Sequence, residues 1–367
     1  MCIRDSHQPA SYYGLPLILG GAEGTLWDIT NAYRAMARTL NNYATLSGAY
    51  DPNDFLPANY SKVEKSAKVL LTEAPVFNAA SIYYTFDAMR QVERPNAEGN
   101  WEQFSSSQKI AWKTGTSIGF RDAWAIGVTS KYAIGVWVGN ADGEGRPGLV
   151  GVQTAAPILF DLFDLLSTAD WFDLPYDECV KLAVCKKSGY RARSICTADT
   201  IWTPINGQQT PSCKYHQIVH LDPTRKNQVN SSCLSPNKMK QEPWFILPPG
   251  EAHYYQFISP TYQTLPPFLE DCLIDNNAIT IPMEMIYPKQ STKITIPKDI
   301  DGSMSQTIFK AAHSNPLSII YWHLNDTYIG STQSFHHQAL NPLPGKHVLT
   351  LIDEQGNRLE QVFEIAL

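Results

Sequence analysis

The chain has 367 residues, 43% of them hydrophobic, and a formal net charge of −6. That length allows two or three domains, and that apolar share is ordinary for globular protein, which argues against extensive disorder. There is no block of about five or six like charges to mark nucleic-acid binding. No apolar run reaches the roughly 18 residues of a membrane span. Met1-Cys-Ile-Arg-Asp-Ser6 carries charges and has no apolar segment of the kind found in signal peptides.

Thr25-Leu-Trp-Asp28 has the form of a capping box with Asp in place of Glu. It predicts a helix with Leu26, Ile29, Tyr33, Met36, Ala37 and Leu40 at helical spacing, stopped near Asn41-Asn42. Leu15 to Gly21 is apolar and is expected to bury under that helix, with Glu23 as a structural carboxylate. Tyr50 to Tyr60 is a loop punctuated by Pro and Asn. Val63 to Leu71 reads as a short strand or turn, Val76 to Met89 as a helix, and Val92 to Ser107 as a polar connection.

Three runs with strand character follow: Ile110–Ser117, Gly119–Thr129 and Tyr132–Asn140. Short turns join them, which predicts an antiparallel meander. The first contains Lys113-Thr114-Gly115, an ammonium, a hydroxyl and a backbone without side chain on one accessible edge. Gly115 lets a ligand approach the main chain. Lys113 supplies positive charge, Thr114 and Thr116 can donate to a carboxylate, and the N–H of Thr116 can face an oxyanion.

Gly139 to Gly151 is glycine-rich but lacks the Gly-Lys-Ser/Thr ending of a phosphate-binding loop, and reads as a mobile hairpin or cleft-edge loop. Pro157 is expected to open a helix to Leu166 with Leu159, Leu162, Phe163 and Leu166 on one face. Between Ala169 and Asp275 regular periodicity fades, and six of the seven cysteines occur there. From Ala278 onward the pattern is β throughout. Strands are expected at Met283–Tyr287, Thr292–Ile296, Gln306–Ala312, Ser318–Leu324, Tyr328–Thr332, His347–Asp353 and Leu359–Leu367, which indicates an immunoglobulin-like sandwich with Trp322 in its core. His336-His337 reads as a solvated pair.

The string Ala111-Trp-Lys-Thr-Gly-Thr-Ser117 followed by Phe120-Arg-Asp-Ala-Trp124 resembles the transpeptidase domain of penicillin-binding proteins, in particular the bifunctional peptidoglycan synthases among them. The resemblance extends upstream to Gly20-Gly-Ala-Glu-Gly-Thr25 and downstream through the cysteine-bearing segment to the C-terminus. It implies a multidomain α+β chain. Residues 1–168 would be the C-terminal part of a transpeptidase domain, 169–277 a Cys-rich linker, and 278–367 the family's C-terminal β-sandwich. Such proteins work at the periplasmic face of the inner membrane, held by an N-terminal anchor. The chain is therefore expected to be a C-terminal fragment, with Met1 to Ser6 foreign to it.

In that family a serine of a Ser-x-x-Lys motif attacks the penultimate D-alanine carbonyl of a stem peptide. Carried over by position, Lys113 and Thr116 would be catalytic, and Lys113, Thr114, Gly115, Thr116 and Ser117 would bind substrate. Ser117 and Asp122 would support the strand and its turn. Ser-x-x-Lys occurs here at Ser106 to Lys109 and Ser235 to Lys238, and neither opens a buried helix; both read as chance. The expected partners are peptidoglycan stem peptides and β-lactams, with no nucleic acid, and with membrane only through the missing anchor. No cofactor and no metal is assigned to the site. A non-catalytic peptidoglycan-binding protein and a β-lactamase-like hydrolase are the other readings.

The family's oxidising setting makes disulfides the default for Cys185, Cys196, Cys213 and Cys233. Cys185 with Cys196 and Cys213 with Cys233 are the favoured pairs, because they close short loops; each crosslink would contribute on the order of 3 kcal/mol. Zinc held by Cys213, His216, His220 and Cys233 is the alternative, and free thiols a third.

Overall fold

The computed structural model describes residues 24–59, 70–74, 76–94, 108–272, 282–296 and 305–366, together with 12, 14 and 15. The segments Pro16 to Glu23, Val63 to Val69 and Pro95 to Ser107 lie outside the described residues, so the readings made on them, Glu23 and Ser106 included, have no structural counterpart here. The chain divides into two compact units, Met1–Leu182 with Ile201–Gln209, and Ala183–Thr200 with Thr210–Leu367. It is mixed α+β, with few helices and several antiparallel sheets.

In the first unit, helix α1 spans Leu26–Thr45, and the Thr25 hydroxyl accepts from the Asp28 N–H at 3.0 Å, as the capping pattern requires. The helix runs past Asn41-Asn42. Those side chains are engaged outside the helix, Asn41 donating to the Ser130 carbonyl and Asn42 to Asp54, so they do not compete for the local backbone. Helix α2 spans Ala79–Arg90, with Asn78 accepting from the Ser81 N–H.

Strands β1 (Ala111–Thr116), β2 (Asp122–Val128) and β3 (Ala133–Gly139) form the expected antiparallel meander in the order β1-β2-β3. The side-chain alternation of the strands splits its faces. Ala111 and Val128 pack with Ala37, Leu40 and Tyr43 of α1 and Ile82 and Phe86 of α2. Trp112, Ala123 and Ala125 pack on the other face with Ala155, Leu159 and Phe163.

Those last three residues belong to helix α3, Gly151–Asp164, which starts six residues before Pro157. Pro157 therefore sits inside the helix and does not open it. The N–H of Gly151 is held by the Thr116 hydroxyl at 3.0 Å, which fixes the start there. The buried face is Ala155, Ala156, Leu159 and Phe163, while Leu162 is partly and Leu165 largely exposed. Gly127 lets α3 come this close, since a Cβ there would lie 2.5 Å from Cε2 of Phe163.

The stretch from Ala169 to Asp275 holds more regular structure than its weak periodicity predicts. Strands β4 (Cys179–Cys185) and β5 (Ala198–Pro204) pair, as do β6 (His216–Leu221) and β7 (Lys240–Phe245). Helix α4 spans Pro249–Ile258. These are two-stranded ribbons, too short to print a long alternation on the sequence.

Among the described residues eight strands follow: β8 Met283–Tyr287, β9 Thr292–Thr295, β10 Thr307–His313, β11 Ile319–Leu324, β12 Thr327–Gln333, β13 His337–Leu340, β14 Gly345–Asp353 and β15 Arg358–Ala366. They form a three-stranded sheet β13-β10-β8 and a five-stranded sheet β12-β11-β14-β15-β9. Met283, Met285, Phe309, Ile320, Trp322, Leu349, Leu351, Phe363 and Ile365 make one buried cluster from both. Seven of these strands match the expected runs to within about two residues at most ends; β13, with only four residues, is too short to stand out in the sequence. The β9–β15 pair is parallel. His336 is buried and touches the Thr332 hydroxyl at 3.0 Å, contrary to the solvated reading.

Candidate functional site

Among the described residues β1 pairs with β2 alone, so its other side is a sheet edge. The N–H of Ser117 donates to the Asp122 carbonyl at 2.9 Å, which directs the main-chain groups of residues 113, 115 and 117 toward β2. Residues between them present theirs the opposite way. The N–H and C=O of Thr114 and Thr116 therefore face the open edge.

Lys113 is exposed, and its ammonium donates to the Thr114 carbonyl at 2.6 Å, across that edge. The side chains do not all share one face. Lys113 and Gly115 lie on the α1–α2 side, whereas Thr114 and Thr116 lie on the α3 side. Thr116 uses an oxygen lone pair to accept from Gly151, which leaves its O–H able to donate.

The turn beyond β1 is fixed by its own side chains. Ser117 Oγ accepts from the Asp122 N–H at 2.8 Å, and the buried Asp122 accepts from Trp137 Nε1 at 3.0 Å. Phe120, at φ 55°, adopts the left-handed conformation there. The loop 140–150 folds back on this turn, with the Arg146 N–H donating to the Phe120 carbonyl at 3.0 Å. Gly145 makes this possible: a Cβ would fall 2.0 Å from the Gly119 oxygen. What results is an exposed cation beside outward N–H and C=O groups on a rigid strand, an arrangement suited to holding a carboxylate and an oxyanion.

Of the Ser-x-x-Lys stretches, Ser235 precedes a three-residue 3-10 turn, Pro236–Lys238, in the second unit. A turn that short gives no helix on which a lysine returns under the serine.

The cysteines depart from the expected pairing. Cys233 is bonded to Cys272, 39 residues away in sequence, and not to Cys213. Cys185, Cys196 and Cys213 are free thiols, gathered with His216 so that their ligand atoms all lie within 4.8 Å of one another. Cys185 Sγ and Cys213 Sγ stand 3.5 and 3.4 Å from His216 Nδ1. Burial pushes the Cys213 thiol up, but hydrogen bonds from Ser188, His216 and the backbone N–H groups of His216 and Tyr215 bring it down to about 6. Local spacing points to Cys213-x2-His216; its other partners come from turns that sequence spacing does not connect. His220, the other histidine of the zinc alternative, is exposed on β6.

Residues 275–363 match the model of the Penicillin-Binding Protein C-terminus Family. The chain is 32% identical over 152 residues to penicillin-binding protein 1C of Escherichia coli (strain K12), covering 41% of this chain and 17% of that protein. It is 29% identical over 184 residues to penicillin-binding protein 1A of Clostridium perfringens, covering 46% and 21%. Penicillin-binding protein 1B of Haemophilus influenzae is 29% identical over 148 residues, covering 40% and 18%. The chain thus spans about a fifth of the length of these curated relatives. Among the described residues, no helix is long and apolar enough to cross a membrane.

Proposed function

We propose that this chain, a penicillin-binding protein C-terminal region by its family match and its relatives, supplies the substrate-holding strand of a peptidoglycan D,D-transpeptidase. In this reading Lys113 and Thr116 hold the terminal carboxylate of a stem peptide. The N–H of Thr116 faces the oxygen of the carbonyl under attack, and Gly115 lets that peptide lie against the strand. The observation that carries the reading is the open edge of β1, where the Lys113 ammonium sits beside the outward N–H and C=O groups of Thr114 and Thr116. A serine nucleophile on another segment would complete the site. The C-terminal strands, read as an immunoglobulin-like sandwich, would bind or position rather than catalyse, at the periplasmic face of the inner membrane. Residues 1–168, 169–277 and 278–367 would be the corresponding transpeptidase, linker and sandwich parts.

The chain on its own should not form an acyl-enzyme, because Ser235 precedes only a three-residue turn and the Ser106 to Lys109 stretch lies just a few residues before Lys113 in sequence. Incubation with a fluorescent penicillin followed by denaturing electrophoresis should show no labelled band. A band removed by Ser106→Ala or Ser235→Ala would contradict this.

A further inference from the structure

The second unit contains a side-chain cluster that the transpeptidase reading leaves unused. Cys185 ends β4, Cys196 follows in the turn after Arg193, and Cys213 and His216 lie just before and at the start of β6. Cys185, Cys213 and His216 are buried, and Cys196 is half-buried. Three segments that share little regular structure thus converge on one point.

We propose that Cys185, Cys196, Cys213 and His216 bind a structural zinc ion. The donor set is the first argument. Three thiolates and an imidazole are a usual complement for a closed tetrahedral zinc site, in which no position remains open for substrate. Geometry is the second. Zinc–sulfur bonds of about 2.3 Å and zinc–nitrogen bonds of about 2.0 Å at tetrahedral angles separate sulfur from nitrogen by about 3.5 Å. The two sulfur–nitrogen distances here are 3.5 and 3.4 Å.

The surroundings of the sulfurs are the third argument. Ser188 Oγ donates to Cys213 Sγ at 3.2 Å, and the N–H of Arg193 donates to Cys196 Sγ at 3.4 Å. Such donors orient thiolate ligands and disperse their charge. Each thiol gives its proton to solvent on binding, so the filled site carries one net negative charge. Arg193, whose guanidinium donates to the His216 carbonyl at 3.2 Å, is the cation beside it.

A disulfide is the competing chemistry for buried cysteines, and the count opposes it. Three thiols face one imidazole, so any pairing strands the third. Cys233 and Cys272 have meanwhile found each other elsewhere in the same unit. The role follows from placement: the ion would tie β4, the turn at Cys196 and the start of β6 together where no extended sheet does so.

The test is the metal content of the full chain, purified without chelator and measured by plasma mass spectrometry. One equivalent of zinc is expected, lost in Cys185→Ser, Cys196→Ser and His216→Ala. It should be kept in His216→Cys, which restores a fourth ligand, and in the controls Cys179→Ser and His220→Ala. Because ligand variants can misfold, the wild-type chain is also stripped under reducing conditions and reloaded with cobalt. The intense visible bands of a tetrahedral cobalt–thiolate site are expected. A metal-free wild type, whether with free thiols or with a second disulfide among Cys185, Cys196 and Cys213, would overturn the proposal. So would zinc that survives Cys196→Ser but not His220→Ala, or a cobalt spectrum without those bands.

Discussion

The meander of the first unit and the paired sheets at the C-terminus are both antiparallel for the most part, yet they treat polar groups in opposite ways. Along β1 the Lys113 ammonium and the Thr114 and Thr116 main-chain groups are left at an unpaired edge. In the C-terminal sheets several polar side chains are turned inward onto one another. Trp322 Nε1 donates to Thr332 at 2.7 Å, Thr332 meets His336, and His313 reaches Asp353 at 3.3 Å. Burial pushes the Asp353 carboxyl up, but hydrogen bonds from the Asn357 side chain and backbone, His313 and Gln355 hold it below the usual range. The difference is one of accessibility: the β1 edge leaves main-chain groups open, whereas these C-terminal groups are used within the sheets.

If that contrast is right, removing the central aromatic of the C-terminal sheets should have the largest effect on stability and none on ligand binding. Trp322 is fully buried and holds Thr332. Trp322→Ala should destabilise the C-terminal sheets by about 3–5 kcal/mol in denaturant unfolding. A loss below about 1 kcal/mol would show that the cluster is not the core described.

A smaller effect should come from pH. Burial, with His313, His253 and His337 nearby, pushes His336 down to about 4. The unfolded chain, with a histidine pKa near 6.5, then takes up a proton before the folded one does. The contribution of His336 is complete above pH of about 6.5 and is lost as pH falls through about 4. Thermal melts across this window should show Tm rising with pH, and His336→Phe should flatten the rise. An equal slope in the variant would assign the effect elsewhere.

How much of this is legible in the sequence follows the same division. Period-two burial runs through Met283–Tyr287 and much of Ile319–Leu324, so those strands can be read directly. The Lys113-Thr114-Gly115 edge is also contiguous in sequence. Pro157 misleads because proline is best tolerated at a helix start, while here the Thr116 hydroxyl sets the start at Gly151. The cysteine partners are illegible for a stronger reason. Cys233 with Cys272, and Cys185 with Cys196, Cys213 and His216, are brought together by chain reversals, and short-loop arithmetic has no access to those.

The β1 edge is tested most directly by a titration of labelled chain with a short peptide ending in D-alanyl-D-alanine. Followed by backbone amide shifts, the titration should perturb Thr114 to Ser117, and Lys113→Met should abolish the response while moving stability by less than about 0.5 kcal/mol, as expected for an exposed side chain. Shifts confined to the C-terminal sheets, or a β1 response that Lys113→Met leaves intact, would contradict it.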